Sequence, residues 1–148
     1  MSTTPSQLLQ NCTSFNQKIV IPSSVTTITG NFLQNCASFN QEITIPANVT
    51  TIQSAFMQKC TSFTQTLTIP STIISIGTLF MYNCDNFTSL VCNGGTALAN
   101  SNQTLATQTN TAPMYVTGVT LTGTYATNWK NKYADRTSTP YRKLILGS

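Results

Sequence analysis

The chain has 148 residues, of which 40% are apolar and only 7% charged, well below the roughly 25% charged residues of an average soluble protein. That length allows about one domain with a working core, and the shortage of charge leaves Thr, Ser, Asn and Gln to make the surface. Seven basic residues against three acidic ones give a net charge of +4 with no histidine, which argues against chemistry built on an imidazole base or clustered carboxylates.

From the N-terminus, MSTTPSQLLQNC lacks the basic start and apolar centre of a signal peptide. The expectation is a product that does not use the general secretory route. No later run approaches the roughly eighteen apolar residues of a membrane span. SQLLQNC matches only the closing half of the repeat that follows, with Leu8 in the place of Phe32 and Cys12 in that of Cys36. The N-terminal end is therefore expected to be uncapped, with an open edge around Lys18 to Ile21.

The repeat itself has a period of 24 residues. Cys12, Cys36, Cys60 and Cys84 fall in one frame, as do Phe15, Phe39, Phe63 and Phe87. Pro22, Pro46 and Pro70 share it, followed by Val25, Val49 and Ile73, by Ile28, Ile52 and Ile76, and by Phe32, Phe56 and Phe80. So many matched positions over three periods indicate a solenoid, because one coil cannot bury its own apolar residues and must stack on the next. Within a period, the alternation in SFNQKIVIP and its copies predicts a half-buried strand. Proline has no amide donor and ends that strand. SVTTI and its copies then predict a tight extended or 3₁₀ piece on the opposite face, and Phe32, Leu33 and Cys36, with their equivalents, a short helical segment.

The pattern F-x-x-C-x-S-F-x-Q-x-I-x-I-P-x-x-V-x-x-I resembles the bacterial surface-antigen (BspA-like) leucine-rich repeat over residues 8 to about 92. Residues 114 to 136, MYVTGVTLTGTYATNWKNKYADR, are similar to the strand-and-helix segment that often closes such arrays. The departures are Phe where leucine is commoner at the start of the strand, and Thr117-Gly118 where the closing segment often has proline. The resemblance implies adhesive or interaction roles at cell surfaces and on phage-encoded virion proteins, with no shared catalytic residues.

After Cys84 the repeat degrades: Leu90 and Cys92 take the strand positions and Asn93-Gly94-Gly95 replaces the proline turn. Residues 93–113 read as a polar excursion. Met114 to Val116 supplies a final strand, and Tyr125, Trp129 and Tyr133, four apart, form a helical stripe that covers the C-terminal end of the core. The expected architecture is thus an α/β, leucine-rich-repeat-like solenoid of about four coils with a parallel strand ladder and a C-terminal strand-helix cap. Its parts are the solenoid at 1–92, the excursion at 93–113, and the cap with its basic tail at 114–148.

Several side-chain rows carry the functional expectations. Cysteines 24 apart form a line along the axis and not the tetrahedron of a zinc site, so no metal is expected. They read as reduced, inert core thiols, with Cys84 to Cys92 the exception to consider as a disulfide. Gln17, Gln41 and Gln65 suggest an amide ladder. The outward strand positions Lys18, Glu42, Thr66 and Ser89, with Val20, Thr44, Thr68 and Val91, form a nearly neutral strip that is the candidate contact surface. Lys130, Lys132, Arg136, Arg142 and Lys143, interleaved with Tyr133 and Tyr141, form a candidate basic contact. Asn11, Asn48, Asn86 and Asn102 each begin an N-x-Thr acceptor pattern that a chain this rich in threonine contains by chance.

Three functional readings stand. The first is a non-enzymatic virion surface component of a phage, either capsid decoration or fibre. The second is an excised domain of a secreted bacterial adhesin, and the third is a weak nucleic-acid binder through the basic tail. For the first two, the expected partners are other virion or surface proteins, sibling subunits docked at the uncapped N-terminal end, and a host glycan or protein receptor. No cofactor and no catalytic residue is expected.

Overall fold

The computed structural model describes residues 2–84, 86–92, 114–117 and 144–147. They form stacked coils carrying eight short strands: β1 (Ser2–Thr3), β2 (Val25–Ile28), β3 (Thr51–Ile52), β4 (Thr66–Ile69), β5 (Ser75–Ile76), β6 (Ser89–Cys92), β7 (Met114–Thr117) and β8 (Leu144–Gly147). Two four-stranded sheets result, ordered β1-β2-β3-β5 and β4-β6-β7-β8, and every pairing is parallel. Such a ladder follows from the repeat, because each coil returns the same residue to the same place. Thr27 pairs with Thr51 and Thr51 with Ser75.

The core runs along the axis between the two faces. Phe32, Phe39, Phe56, Phe63 and Phe80 are completely buried, as are Ile28, Ile52, Leu67 and Cys36, Cys60 and Cys84. Side chains at equivalent positions lie directly above one another, so the aromatic rings stack in two columns. The Phe32, Phe56 and Phe80 rings are nearly parallel, with centroids 5.6 and 5.3 Å apart. In the Phe15, Phe39 and Phe63 column the centroids are 6.1 and 6.2 Å apart. Burying each such ring stabilises the stack by about 1.5–3 kcal/mol.

The segment around Phe32 to Cys36 is not helical. Left-handed residues alternate with others along it, at Asn31, Leu33 and Asn35 with φ of 62°, 55° and 60°. The same alternation occurs at Gln7, Leu9 and Asn11, at Ala55, Met57 and Lys59, and at Leu79, Met81 and Asn83. The reason is spatial. A helix with its side chains is about 10–12 Å across and cannot recur at the ring spacing of 5.3–5.6 Å found here. The alternating backbone instead turns its amides along the stack: Asn31 donates to the Ser54 carbonyl in the next coil, and Leu33 to the Leu8 carbonyl in the previous one. Left-handed φ costs a β-carbon-bearing residue about 1–2 kcal/mol, less for asparagine, and Asn occupies four of these twelve positions.

At the C-terminal side the ladder goes further than the sequence suggests. Leu90 pairs with Met114, keeping the 24-residue offset, but β7 is not the last strand. β8 pairs with it in register, Met114 with Leu144, so residues 144–147 belong to the sheet and are not a free basic tail. An alternating Leu-Ile-Leu run beside an existing parallel edge favours that pairing. The helical stripe expected at Tyr125, Trp129 and Tyr133 lies outside the described residues, and among those residues there is no helix.

Candidate interaction surface

The strip expected from the sequence faces solvent along most of its length. Lys18, Val20, Glu42, Thr44, Thr66 and Thr68 are exposed and Val91 is half-buried. Val20 stands out at 76% exposure. Thr66 pairs with Ser89 and Thr68 with Val91, one residue short of the 24-residue period, and this keeps the two rows aligned.

The strip is not one continuous sheet face. Residues 18–21 and 42–45 are extended but form no strand, and no backbone hydrogen bond joins them to each other or to β4. The Phe rings of the neighbouring Phe15 column are also more widely spaced, at 6.1–6.2 Å, than those of the Phe32 column. Two grooves open between the coils. One, of about 340 Å³, runs among Lys18, Val20, Ser23, Glu42, Thr44 and Pro46. The other, of about 240 Å³, lies among Glu42, Thr44, Thr66, Thr68 and Pro70. Glu42 and the Thr hydroxyls give these grooves a polar rim over a floor of Ile19, Ile21, Ile43 and Ile45.

Polar side chains stitch the coils elsewhere. The amide ladder exists, but not at Gln17, Gln41 and Gln65. Gln10 donates to Gln34 at 2.6 Å and Gln34 to Gln58 at 2.5 Å. Gln41 and Gln65 instead donate to the Asn16 and Asn40 side-chain oxygens. Those oxygens also accept from the amides of Asn40 and Thr64. An asparagine one residue before the glutamine reaches the next coil first, so the glutamines bridge to it and not to one another.

Cys12, Cys36 and Cys60 are free thiols, and the Cys84–Cys92 disulfide considered from the sequence rests on the Cys92 side chain, which lies outside the described ones. Cys36 donates to the Leu9 carbonyl at 2.9 Å, Cys60 to Leu33 at 3.2 Å and Cys84 to Met57 at 2.6 Å. Each thiol thus satisfies a carbonyl of the left-handed turn one coil back. Burial, with the nearby Cys60, pushes the Cys36 thiol up to about 11. Cys60 is pushed further in the same direction, first by its hydrogen bond with Cys84 and then by burial. Neutral, hydrogen-bonded thiols are poor nucleophiles.

The first coil differs from those behind it. Leu8, Leu9, Cys12, Phe15 and Ile19 are only partly buried, whereas Phe32, Leu33, Cys36, Phe39 and Ile43 at the same positions are buried. β1 begins this coil and pairs with β2, a contact the sequence did not suggest because Ser2-Thr3 has no apolar residue to mark it. A hollow of about 170 Å³ lies at this end among Thr4, Leu8, Ile19, Ile21, Val25 and Phe32.

The BspA type leucine-rich repeat region matches residues 2–112, in six copies. The chain belongs to the BspA-type leucine-rich repeat family. It is accordingly a repeat protein of the surface or protein-interaction kind. The match extends through residue 112, beyond the 92 at which the composition changes. No curated protein and no solved structure matches the chain. Lys130, Lys132, Arg136, Arg142 and Lys143 lie outside the described residues. Among the described residues there is no helix long and apolar enough to cross a membrane.

Proposed function

We propose that this BspA-type array is a non-catalytic binding component of a phage virion surface, as capsid decoration or fibre, working through protein–protein and host-surface contacts. The observation that carries the reading is the asymmetric stack. The neutral, Thr-rich strip faces solvent along most of its length, while the first coil leaves Leu8, Leu9, Cys12, Phe15 and Ile19 half-covered. Exposed apolar rows rimmed by polar groups mark protein contact sites. In this role the N-terminal end docks on a capsid protein or a sibling subunit, and the strip with its two grooves meets a host glycan or protein. The single described carboxylate, Glu42, has no histidine or second acid beside it, which supports a binding role over a catalytic one.

A second reading places the array on a bacterial cell surface as part of an adhesin, and the family match favours it. Immunogold labelling of intact producing cells and of the particles they release tests both. Label on particles supports the virion role, and label on the envelope alone replaces it with the adhesin. Label seen only after permeabilisation overturns both.

A further inference from the structure

The two grooves hold backbone groups that the protein itself leaves unpaired. Glu42, Ile43, Thr44 and Ile45 make no backbone hydrogen bond with any described residue, although Ile43 and Ile45 are only 5% exposed. Buried amides and carbonyls are otherwise almost always paired. One coil later the equivalent segment, β4, is bonded in register to β6, so the unpaired stretch is particular to the grooves. The slots between these coils have no room to take a strand. Ser62 donates to the Ala37 carbonyl at 3.0 Å just before them, and β3 pairs with β5 just after.

Such a slot suits a single atom that accepts from the amide of one coil while donating to the carbonyl of the other. A peptide amide divides those two roles between nitrogen and oxygen, whereas a hydroxyl combines them. The lining adds to the same preference. Thr44 borders both grooves, and Thr66 and Thr68 the second. Glu42 borders both, together with a hollow of about 250 Å³ that it shares with Lys18, Asn40, Gln41 and Gln65. Its carboxylate is exposed, and its two oxygens can accept from two neighbouring hydroxyls of one ring. Pro46 and Pro70 offer aliphatic surface beside these acceptors.

We propose that the two grooves are successive subsites for a neutral, linear polysaccharide whose hydroxyls enter the slots between the coils. The proposal rests on the surface-binding role above and names the ligand of the strip. Neutrality follows from Glu42, because a polyanion would meet that carboxylate in each groove, and Lys18 alone balances it along the strip. Linearity follows from the grooves succeeding one another along the axis, one for each pair of coils. At about 340 and 240 Å³ they are near the lower end of small-molecule sites, so each takes only a short stretch of sugar chain. One chain that occupies both gains affinity, since its second contact is intramolecular.

Calorimetric titration of the purified full chain tests this, with glucan, mannan and galactan oligosaccharides from disaccharide to hexasaccharide and heparin oligosaccharides as the polyanion. The expected result is a neutral series whose affinity rises about tenfold from disaccharide to tetrasaccharide. In NMR, the bound sugar is expected to slow exchange of the Ile43 and Ile45 amides by about tenfold. Thr44→Val removes a hydroxyl common to both grooves from an exposed position, and Glu42→Gln replaces one acceptor oxygen by a donor. Each is expected to weaken binding about fivefold, while Ile74→Thr, which lines neither groove, leaves it within about twofold. Failure of every neutral series to bind overturns the proposal, as does heparin binding as tightly, affinity independent of length, or binding that Thr44→Val and Glu42→Gln both leave unchanged. Immunogold label on a surface without sugar binding points the strip to a protein and overturns only the polysaccharide. Sugar binding without surface label overturns only the surface role.

Discussion

The left-handed turns and the extended segments are opposite sides of the same coils, yet they are held by different forces. Around Asn31 to Cys36, backbone amides, the Gln10-Gln34-Gln58 ladder and the cysteine thiols all bond from coil to coil. Between residues 18–21 and 42–45 no backbone bond crosses, and Ile19, Ile21, Ile43 and Ile45 pack into the apolar core. Apolar stacking sets no fixed spacing, whereas a hydrogen bond holds donor and acceptor at about 2.7–3.2 Å. The tight side sets the register of the stack, and the loose side provides the grooves.

The largest test of this contrast removes the ring common to two tight contacts. Phe56→Ala is expected to cost about 3–5 kcal/mol in chemical denaturation, because Phe56 is fully buried and stacks on both Phe32 and Phe80. A loss below about 1 kcal/mol would mean that the polar ladder alone holds this side together.

Alkaline pH probes the thiol row. The folded Cys36 thiol is raised from 9.0 to about 11, so the unfolded chain loses this proton first as pH rises. Stability from this group is complete below pH 9 and falls between 9 and 11, by at most about 1.4 kcal/mol per pH unit. Equilibrium unfolding of Cys36→Ala against pH should lack that part of the fall.

Two glycines separate close approach from open space. A β-carbon on Gly77 would lie 2.4 Å from the Ser54 nitrogen and 2.7 Å from the Gln53 carbonyl carbon, both backbone. One on Gly30 would meet the Ser54 oxygen at 3.5 Å and the Gln53 side-chain oxygen at 3.9 Å, both ordinary contacts. Gly77→Ala is expected to lower stability by about 1–3 kcal/mol through overpacking, and Gly30→Ala to change it by less than about 1 kcal/mol. Thermal melts of the pair would distinguish a tightly fixed coil spacing from one that yields.

Gln34→Ala cuts the amide ladder at its middle and should cost about 1–2 kcal/mol, since the Gln10 and Gln58 amides lose their shared partner. On the loose side, Val20→Thr should change stability by less than about 0.5 kcal/mol, because Val20 is 76% exposed. A larger loss measured in dilute solution would show that this side chain is covered after all.

Much of the molecule is legible in its period. The rows of Phe, Cys, Ile and Val at 24-residue spacing announce a stacked core, and the outward strip from Lys18 to Thr68 follows from strand alternation. Phe32, Leu33 and Cys36 are spaced as a helical face would be, but apolar spacing cannot report the sign of φ. β8 is hidden in the sequence because Arg142 and Lys143 precede it and give the C-terminus the look of a solvated tail. The polar series Asn16, Asn40 and Thr64 carries a signal too, but only the structure shows that each asparagine oxygen accepts from the amide of the next coil.

The sequence by itself determined the repeat, the identity of the core and which residues face outward, because burial depends on periodicity and composition. The tertiary structure alone decided how far apart the coils stand and which way their hydrogen bonds run. Those depend on whether each backbone amide finds its acceptor in the next coil or the previous one, a choice the side chains constrain only after the coils have stacked. That choice leaves the grooves on one side of the stack.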